Sequence, residues 1–196
     1  MLNSAIRPAL VVFVAMTLLT GVAYPLLVTG IGGAGFADRA AGSLIVRDGK
    51  PIGSSLIGQN FTDPKYFWGR PSATGTMPYN PLATAGSNQG PSNPALVEAV
   101  KARIAALKAA DPGNSAPVPV DLVTASASGL DPHISVAAAK YQLSRVAAVR
   151  KLELASLQAI IDKHTEGQFL GIFGEPRVNV LELNLALDAP LDAKAP

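Results

Sequence analysis

The stretch that decides the architecture is PALVVFVAMTLLTGVAYPLLVTGIGGAGFA, residues 8–37, thirty consecutive positions without a formal charge between Arg7 and Asp38. Within it, residues 9–30 at about 1.5 Å of rise each span roughly the 30 Å hydrocarbon layer of a bilayer. Eleven of those positions are Leu, Val or Phe, each favouring insertion by about 0.3–0.6 kcal/mol near the centre of a span. Gly21 and Pro25 would interrupt a soluble helix, but lipid leaves the backbone no alternative to internal hydrogen bonding. The competing reading is a cleaved signal peptide, with Gly35-Phe36-Ala37 ahead of Asp38 as the processing site and a secreted binding domain as the product. Apolar signal cores run to about 7–15 residues, and this stretch is longer, which favours an uncleaved anchor. Counting Arg7 against Arg39, Arg47 and Lys50 does not assign the orientation of the span.

The rest of the 196 residues narrows the chemistry by exclusion. Sixteen basic and fourteen acidic side chains leave a net charge of +2, so binding of nucleic acid through bulk charge is unsupported. There is no cysteine, hence no disulfide, thiolate nucleophile or thiolate metal site. His133 and His164 lie too far apart for a local histidine pair, and no metal site is expected. GxxxxGK[ST], GxSxG, DKTGT and TVGYG are all absent, which removes a P-loop, a nucleophile elbow, an aspartyl-phosphate site and a potassium filter from this chain. Ser126, Ser128, Asp131 and His133 offer the ingredients of a membrane-anchored periplasmic hydrolase, although sequence proximity does not supply triad geometry.

The expected fold class is α+β, one N-terminal transmembrane helix followed by a mixed α/β soluble domain. We divide the chain into a tail (1–8), a span (9–30), a flexible glycine-bearing joint (31–45) and the domain (46–196). Val46 to Lys50 reads as a strand ending in an Asp-Gly turn, with Ser54 to Gln59 as partner. Residues 69–94 place Gly, Pro, Ser, Thr or Asn at 18 of 26 positions, and we expect an ordered recognition loop. Phe61, Tyr66, Phe67, Trp68 and Tyr79 form a core cluster or, alternatively, an anchor on a partner. Asn93-Pro94 opens a helix whose apolar face is Leu96, Val97, Val100, Ile104 and Leu107. Val118 to Thr124 reads as a strand, Ser135 to Arg150 as a helix whose Lys140, Arg145, Arg150 and Lys151 form a solvated face or, alternatively, attract an anion, and Leu154 onward as a third helix with Leu154, Leu157, Ile160 and Ile161 on one side. Val178 to Leu187 reads as a strand carrying Leu181, Leu183, Leu185 and Leu187 on one face.

Seven segments, GSSLIGQNF (53–61), YFWGRPSAT (66–74), MPYNP (77–81), GSNQGPSNP (86–94), VDLVTASASGLDPHIS (120–135), RVAAVR (145–150) and VNVLELNLALD (178–188), together resemble the C subunit of the potassium-transporting P-type ATPase, KdpC. One departure is Thr84-Ala85-Gly86-Ser87-Asn88, where the family commonly has Ser-Gly-Gly-Ser-Asn. The resemblance implies a single-pass inner-membrane subunit, its amino terminus cytoplasmic and its domain periplasmic. Its partners would be a P-type ATPase subunit, a channel-like potassium-translocating subunit and a small membrane peptide, within the lipid bilayer. It implies an accessory, non-catalytic role, described for the family as a catalytic chaperone raising ATP affinity, with ATP and K+ used by the complex and no firmly bound cofactor here. The candidate partner surface is Tyr66, Phe67, Trp68, Arg70, Tyr79 and Asn80. The nucleotide contact carries over to Gly86, Ser87, Asn88 and Gln89, with Ser126, Ser128 and Gly129 second. A periplasmic domain would have a bilayer between these residues and cytosolic ATP.

Overall fold

A computed structural model describes residues 2–189; the final seven positions of the expected domain, 190–196, lie outside the described residues. The chain divides into two units meeting between Leu44 and Ile45.

The first unit is one long helical rod. Helix α1 (Leu2–Leu18) passes through a π-helical turn at Leu19–Ala23 into α2 (Tyr24–Gly35). The π turn has a local cause. Pro25 has no amide to give and its ring crowds the carbonyl four residues back, so the ladder widens just before it and the Tyr24 amide reaches Leu19 O. Thr17 and Thr20 return their hydroxyls to the carbonyls of Phe13 and Met16, both at 2.7 Å, which hides those polar groups from lipid. From Ser4 to Gly35 the helix is long and apolar enough to cross a membrane, with none of its apolar face covered by protein. Within the expected joint at 31–45 the helix does not end at Gly32 or Gly33. The helix runs on to Gly35, Phe36 N still donates to Gly32 O, and a single turn, α3 (Ala37–Ala40), follows. Glycine permits a break without compelling one.

In the second unit, β1 (Leu44–Arg47) and β2 (Lys50–Ser54) form the expected hairpin on Asp48 (φ 52°) and Gly49 (φ 74°). Those paired positive angles are what a two-residue hairpin turn requires. The partner strand begins at Lys50, directly after the turn, and not at Ser54. Helix α4 (Pro94–Ala110) is capped by Asn93, whose side chain accepts from Ala95 N. Leu107 is its buried residue, whereas Val97 faces solvent. The expected strand at Val118 to Thr124 is instead a 3-10 turn, Val120–Leu122. Pro117 and Pro119 withhold the amides a ladder would need. Asp121 from this turn accepts from Ser135 N at 2.7 Å and so ties it to β3 (His133–Ser135).

Helix α5 (Val136–Arg150), capped by Ser135, and α6 (Leu154–Lys163) pack together around Leu157 and Ile161, while Leu154 is exposed. Strands β3, β5 (Arg177–Asn179) and β4 (Thr165–Glu166) lie side by side in that order, antiparallel. Val178 to Leu187 is not one strand. The strand stops at Asn179, whose side chain accepts from Glu182 N, and α7 (Val180–Leu187) follows. Val180, Leu181, Leu183, Asn184 and Leu187 are buried, the i, i+1, i+3, i+4, i+7 pattern of a helix.

The basic face of α5 is the largest correction. Arg145 is only 4% exposed. It donates to the carbonyls of Pro64 and Tyr66 and to Gln142 Oε1, and its guanidinium lies 4.5 Å from the Trp68 ring centroid. Arg150 donates to Lys65 O, Leu187 O and Asp188 Oδ1. Two buried carboxamides complete the grip. Asn184 accepts from Phe67 N and donates to Phe67 O, both at 2.9 Å, and Gln142 does the same for Trp68 at 2.8 and 3.1 Å. Residues 64–68 are thus held like a strand whose neighbours are side chains.

Candidate functional site

The site grows from Tyr79. Two glycines make room for its ring: a Cβ on Gly58 would stand 2.3 Å from Tyr79 Cε1, and one on Gly69 would stand 2.6 Å from the hydroxyl. Tyr79 has φ 58°, a left-handed conformation that costs a bulky residue about 1–3 kcal/mol. Its surroundings enforce it. The hydroxyl donates to Arg70 O at 2.5 Å and the amide donates to Ser72 Oγ at 2.9 Å. Burial pushes the phenol pKa up to about 12, so it stays a donor at any physiological pH.

Hydroxyls then organise the loop of residues 69–94. Ser72 Oγ donates to Gly129 O, Thr74 Oγ1 donates to Met77 O and accepts from Asn80 N, and the Asn80 carboxamide accepts from Leu82 N. Further on, Ala85 N and Thr84 Oγ1 both donate to Ser128 O. Gly86 lies against Ala127 and Gly129 against Ala85 O, too close for added Cβ atoms to fit without a shift. The two sets of residues singled out for nucleotide contact, Gly86 to Gln89 and Ser126 to Gly129, are therefore neighbours through this seam. The serine hydroxyls are already engaged, Ser126 Oγ accepting from Gly129 N and Ser128 Oγ from Leu130 N. Ser87 and Asn88 are exposed.

Arg70 joins the loop to the sheet. It donates to Asp131 Oδ2 at 3.0 Å and to Ala125 O. Asp131 also accepts from His133 N, and His133 Nδ1 lies 3.4 Å from Asp131 and Nε2 3.9 Å from Glu166. His133 thus addresses two carboxylates, while Ser126 and Ser128 cap the turn; the hydrolase geometry is not assembled. Burial alone would raise the Asp131 carboxyl, but the His133 hydrogen bonds and Arg70 outweigh it and hold the pKa at about 2. Because that is below the unfolded value of 3.8, the stabilisation is complete above about pH 4 and is lost as pH falls through about 2. In urea midpoints measured down that range, Asp131→Asn is expected to remove this part of the acid sensitivity.

A cleft of about 510 Å³ opens beside the loop, walled by Phe61, Trp68, Arg70, Tyr79, Arg103 and Leu122. Arg103 donates to Val123 O at 2.7 Å and has no carboxylate partner among the described residues; burial lowers its pKa. Of the residues proposed from sequence for a partner surface, Phe67 has no exposed surface, and Tyr79 and Asn80 are buried as well. Tyr66, Trp68 and Arg70 retain accessible surface, and Tyr66 donates to Asp188 at 2.7 Å. Sequence reasoning did not single out Arg103, nor Ser72 and Thr74 from among the turn-suited residues of the loop. No group of three or more His, Asp or Glu suited to a metal ion occurs among the described residues.

Residues 6–189 match the family described as KdpC, the c chain of the K+-transporting ATPase, a match that takes in the long helix and the second unit together. The chain belongs to the KdpC family. It is 66% identical over 195 residues, covering 100% of both chains, to the potassium-transporting ATPase KdpC subunit of Polaromonas naphthalenivorans (strain CJ2). The protein of that name from Dechloromonas aromatica (strain RCB) is 64% identical over 188 residues, covering 96% of this chain and 98% of its own. That from Herminiimonas arsenicoxydans is 64% identical over 187 residues, covering 95% and 98%. In KdpC terms, the missing nucleotide and filter motifs have a simple place, since this chain is one subunit of a larger ATPase.

Proposed function

We propose that this KdpC chain is the accessory, non-catalytic subunit of an ATP-driven high-affinity potassium uptake complex of the cell inner membrane. Its first helix spans the bilayer from a cytoplasmic tail at residues 1–8, and the domain from residue 46 onward works in the periplasm. Its partners are the P-type ATPase subunit, the channel-like potassium-translocating subunit and a small membrane peptide. The observation that carries this reading is the unbroken family match from residue 6 to 189.

The domain's docking surface is the cleft beside Trp68. Its aromatic walls suit an apolar side chain, and Arg103, a half-buried cation without an acidic partner among the described residues, suits a neighbouring carboxylate. The occupant is accordingly a partner-subunit segment with both. Any rise in the pump's ATP affinity is transmitted through that docking, because Gly86 and the Ser126 and Ser128 hydroxyls serve the loop's own seam and a bilayer separates the exposed Ser87 and Asn88 from cytosolic ATP.

The test is co-purification from cells expressing all subunits. Arg103→Gln is expected to lower recovery of the other subunits about ten-fold, the worth of one charge-assisted contact, while loss of its bond to Val123 O lowers the stability of the isolated chain by about 0.5–1.5 kcal/mol and leaves it folded. Full recovery would remove the cleft from the interface. Topology is read from Ser92→Cys in this cysteine-free chain: labelling of intact spheroplasts by an impermeant maleimide is expected. Labelling only after permeabilisation would place the domain with cytosolic ATP and overturn the indirect role.

A further inference from the structure

Between β4 and β5 runs a loop that no functional reading has used, GQFLGIFG, residues 167–174, uncharged and flanked by Glu166 and Glu175. We propose that its tip dips into the surface of the bilayer in which the chain is anchored.

Four large apolar side chains stand together in solvent there: Phe169 is 71% exposed, Leu170 75%, Ile172 72% and Phe173 59%. A contiguous apolar patch of this kind marks an interaction site. The backbone selects the occupant. Phe169 and Phe173 exchange amide-to-carbonyl hydrogen bonds at 2.9 and 3.0 Å, Ile172 N donates to Phe169 O, Gly171 N to Gln168 O, and Gln168 Nε2 to Gly174 O. Leu170 (φ 54°) and Gly171 (φ 74°) close the turn. Four of the five amides from Phe169 to Phe173 are therefore satisfied within the loop, which lowers the cost of placing this turn at the headgroup and acyl boundary.

Polarity changes along the loop in the same sense. At its base Glu166 pairs with Arg177 across the strands, the carboxylate and guanidinium 2.9 Å apart, forming a charged collar suited to the headgroup layer. Beyond it, past Glu175 and Pro176, come only Gln168, the glycines and the apolar four. Phe and Leu are side chains that bury themselves at the headgroup and acyl boundary. Access is supplied by the anchor: nine residues, 36–44, separate the end of α2 from the second unit, a reach of at most about 32 Å. The second unit is thus held at high effective concentration at a bilayer surface.

The proposal rests on the membrane-spanning reading of the first helix and not on the docking cleft. Full-length chain is reconstituted without other subunits into vesicles of phosphatidylethanolamine and phosphatidylglycerol. It carries an NBD label on a single cysteine at Leu170→Cys, at Lys108→Cys on α4, or at Val14→Cys within the span. Nitroxide-bearing lipids are expected to quench the label at 170 at least about three-fold more than that at 108, and Phe169→Ser with Phe173→Ser to abolish the difference. Equal quenching at 170 and 108, with 14 still quenched, overturns the proposal and leaves the anchor standing. Loss of quenching at 14 as well overturns both. Shielding at 170 only after the other subunits are added would mean that the loop meets protein and would also overturn it.

Discussion

Arg145→Met is expected to lower the unfolding free energy of the chain by about 2–4 kcal/mol. The substitution keeps most of the side-chain volume but removes two part-buried hydrogen bonds to the carbonyls of Pro64 and Tyr66 and a buried one to Gln142 Oε1, each worth about 0.5–1.5 kcal/mol net and more where the donor is charged. The cation over Trp68 contributes about 0.5–2 kcal/mol more, while release of a desolvated charge offsets part of the sum. Burial holds the Arg145 pKa at about 10, so the group remains charged at neutral pH and the loss is of a cation. Trp68 is the sole tryptophan, and its fluorescence through a urea titration in detergent reports on the contact directly. Arg145→Lys is expected to recover only part of the loss, because an ammonium lacks the planar fork that reaches both carbonyls and Gln142. An unchanged midpoint for Arg145→Met would show that segment 64–68 is held by its apolar contacts alone.

Gly58→Ala is the second large expectation, a loss of about 1–3 kcal/mol from one methyl group. The new Cβ would meet Tyr79 Cε1 at 2.3 Å, Cδ1 at 2.8 Å and Asp131 O at 2.9 Å, and the ring has no room to yield because its hydroxyl and amide are both tied down. Displacing Tyr79 removes a wall of the cleft, so recovery of partner subunits is expected to fall together with stability. A double-mutant cycle separates the clash from other effects. Adding Tyr79→Ser to Gly58→Ala should cost less than the two single changes summed, with a coupling of at least about 1 kcal/mol. Strict additivity would mean that the methyl group finds space elsewhere.

What could be read from the chain followed from signals that are local. The uncharged run after Arg7 is long enough to mark a candidate span, and the caps at Asn93 and Ser135 each announce a helix through one side chain and one amide. The misreadings came where one pattern fits two structures. Leu181, Leu183, Leu185 and Leu187 alternate as a strand would, yet the deciding residues were Asn179 and Glu182, a cap and its partner three positions on, which open a helix in the middle of the alternation. Arg145 and Arg150 looked solvated because their partners are backbone carbonyls about eighty positions away, and carbonyls leave no mark on sequence. The candidate site was half legible. Trp68, Arg70 and Tyr79 were marked by their type, whereas Arg103 and Gly58 matter only through what the fold sets beside them.

The side-chain grip on residues 64–68 also sets an order of events in synthesis. Phe67 waits 117 positions for Asn184, and Trp68 waits 74 for Gln142. The anchor can enter the membrane as soon as it leaves the ribosome, but the centre of the domain stays open until α7 has been made, and contacts so distant in sequence form slowly. A polypeptide stalled before that last helix would be inserted yet unfinished, its buried aromatic centre exposed to proteases. Completion of the domain's centre therefore waits for α7.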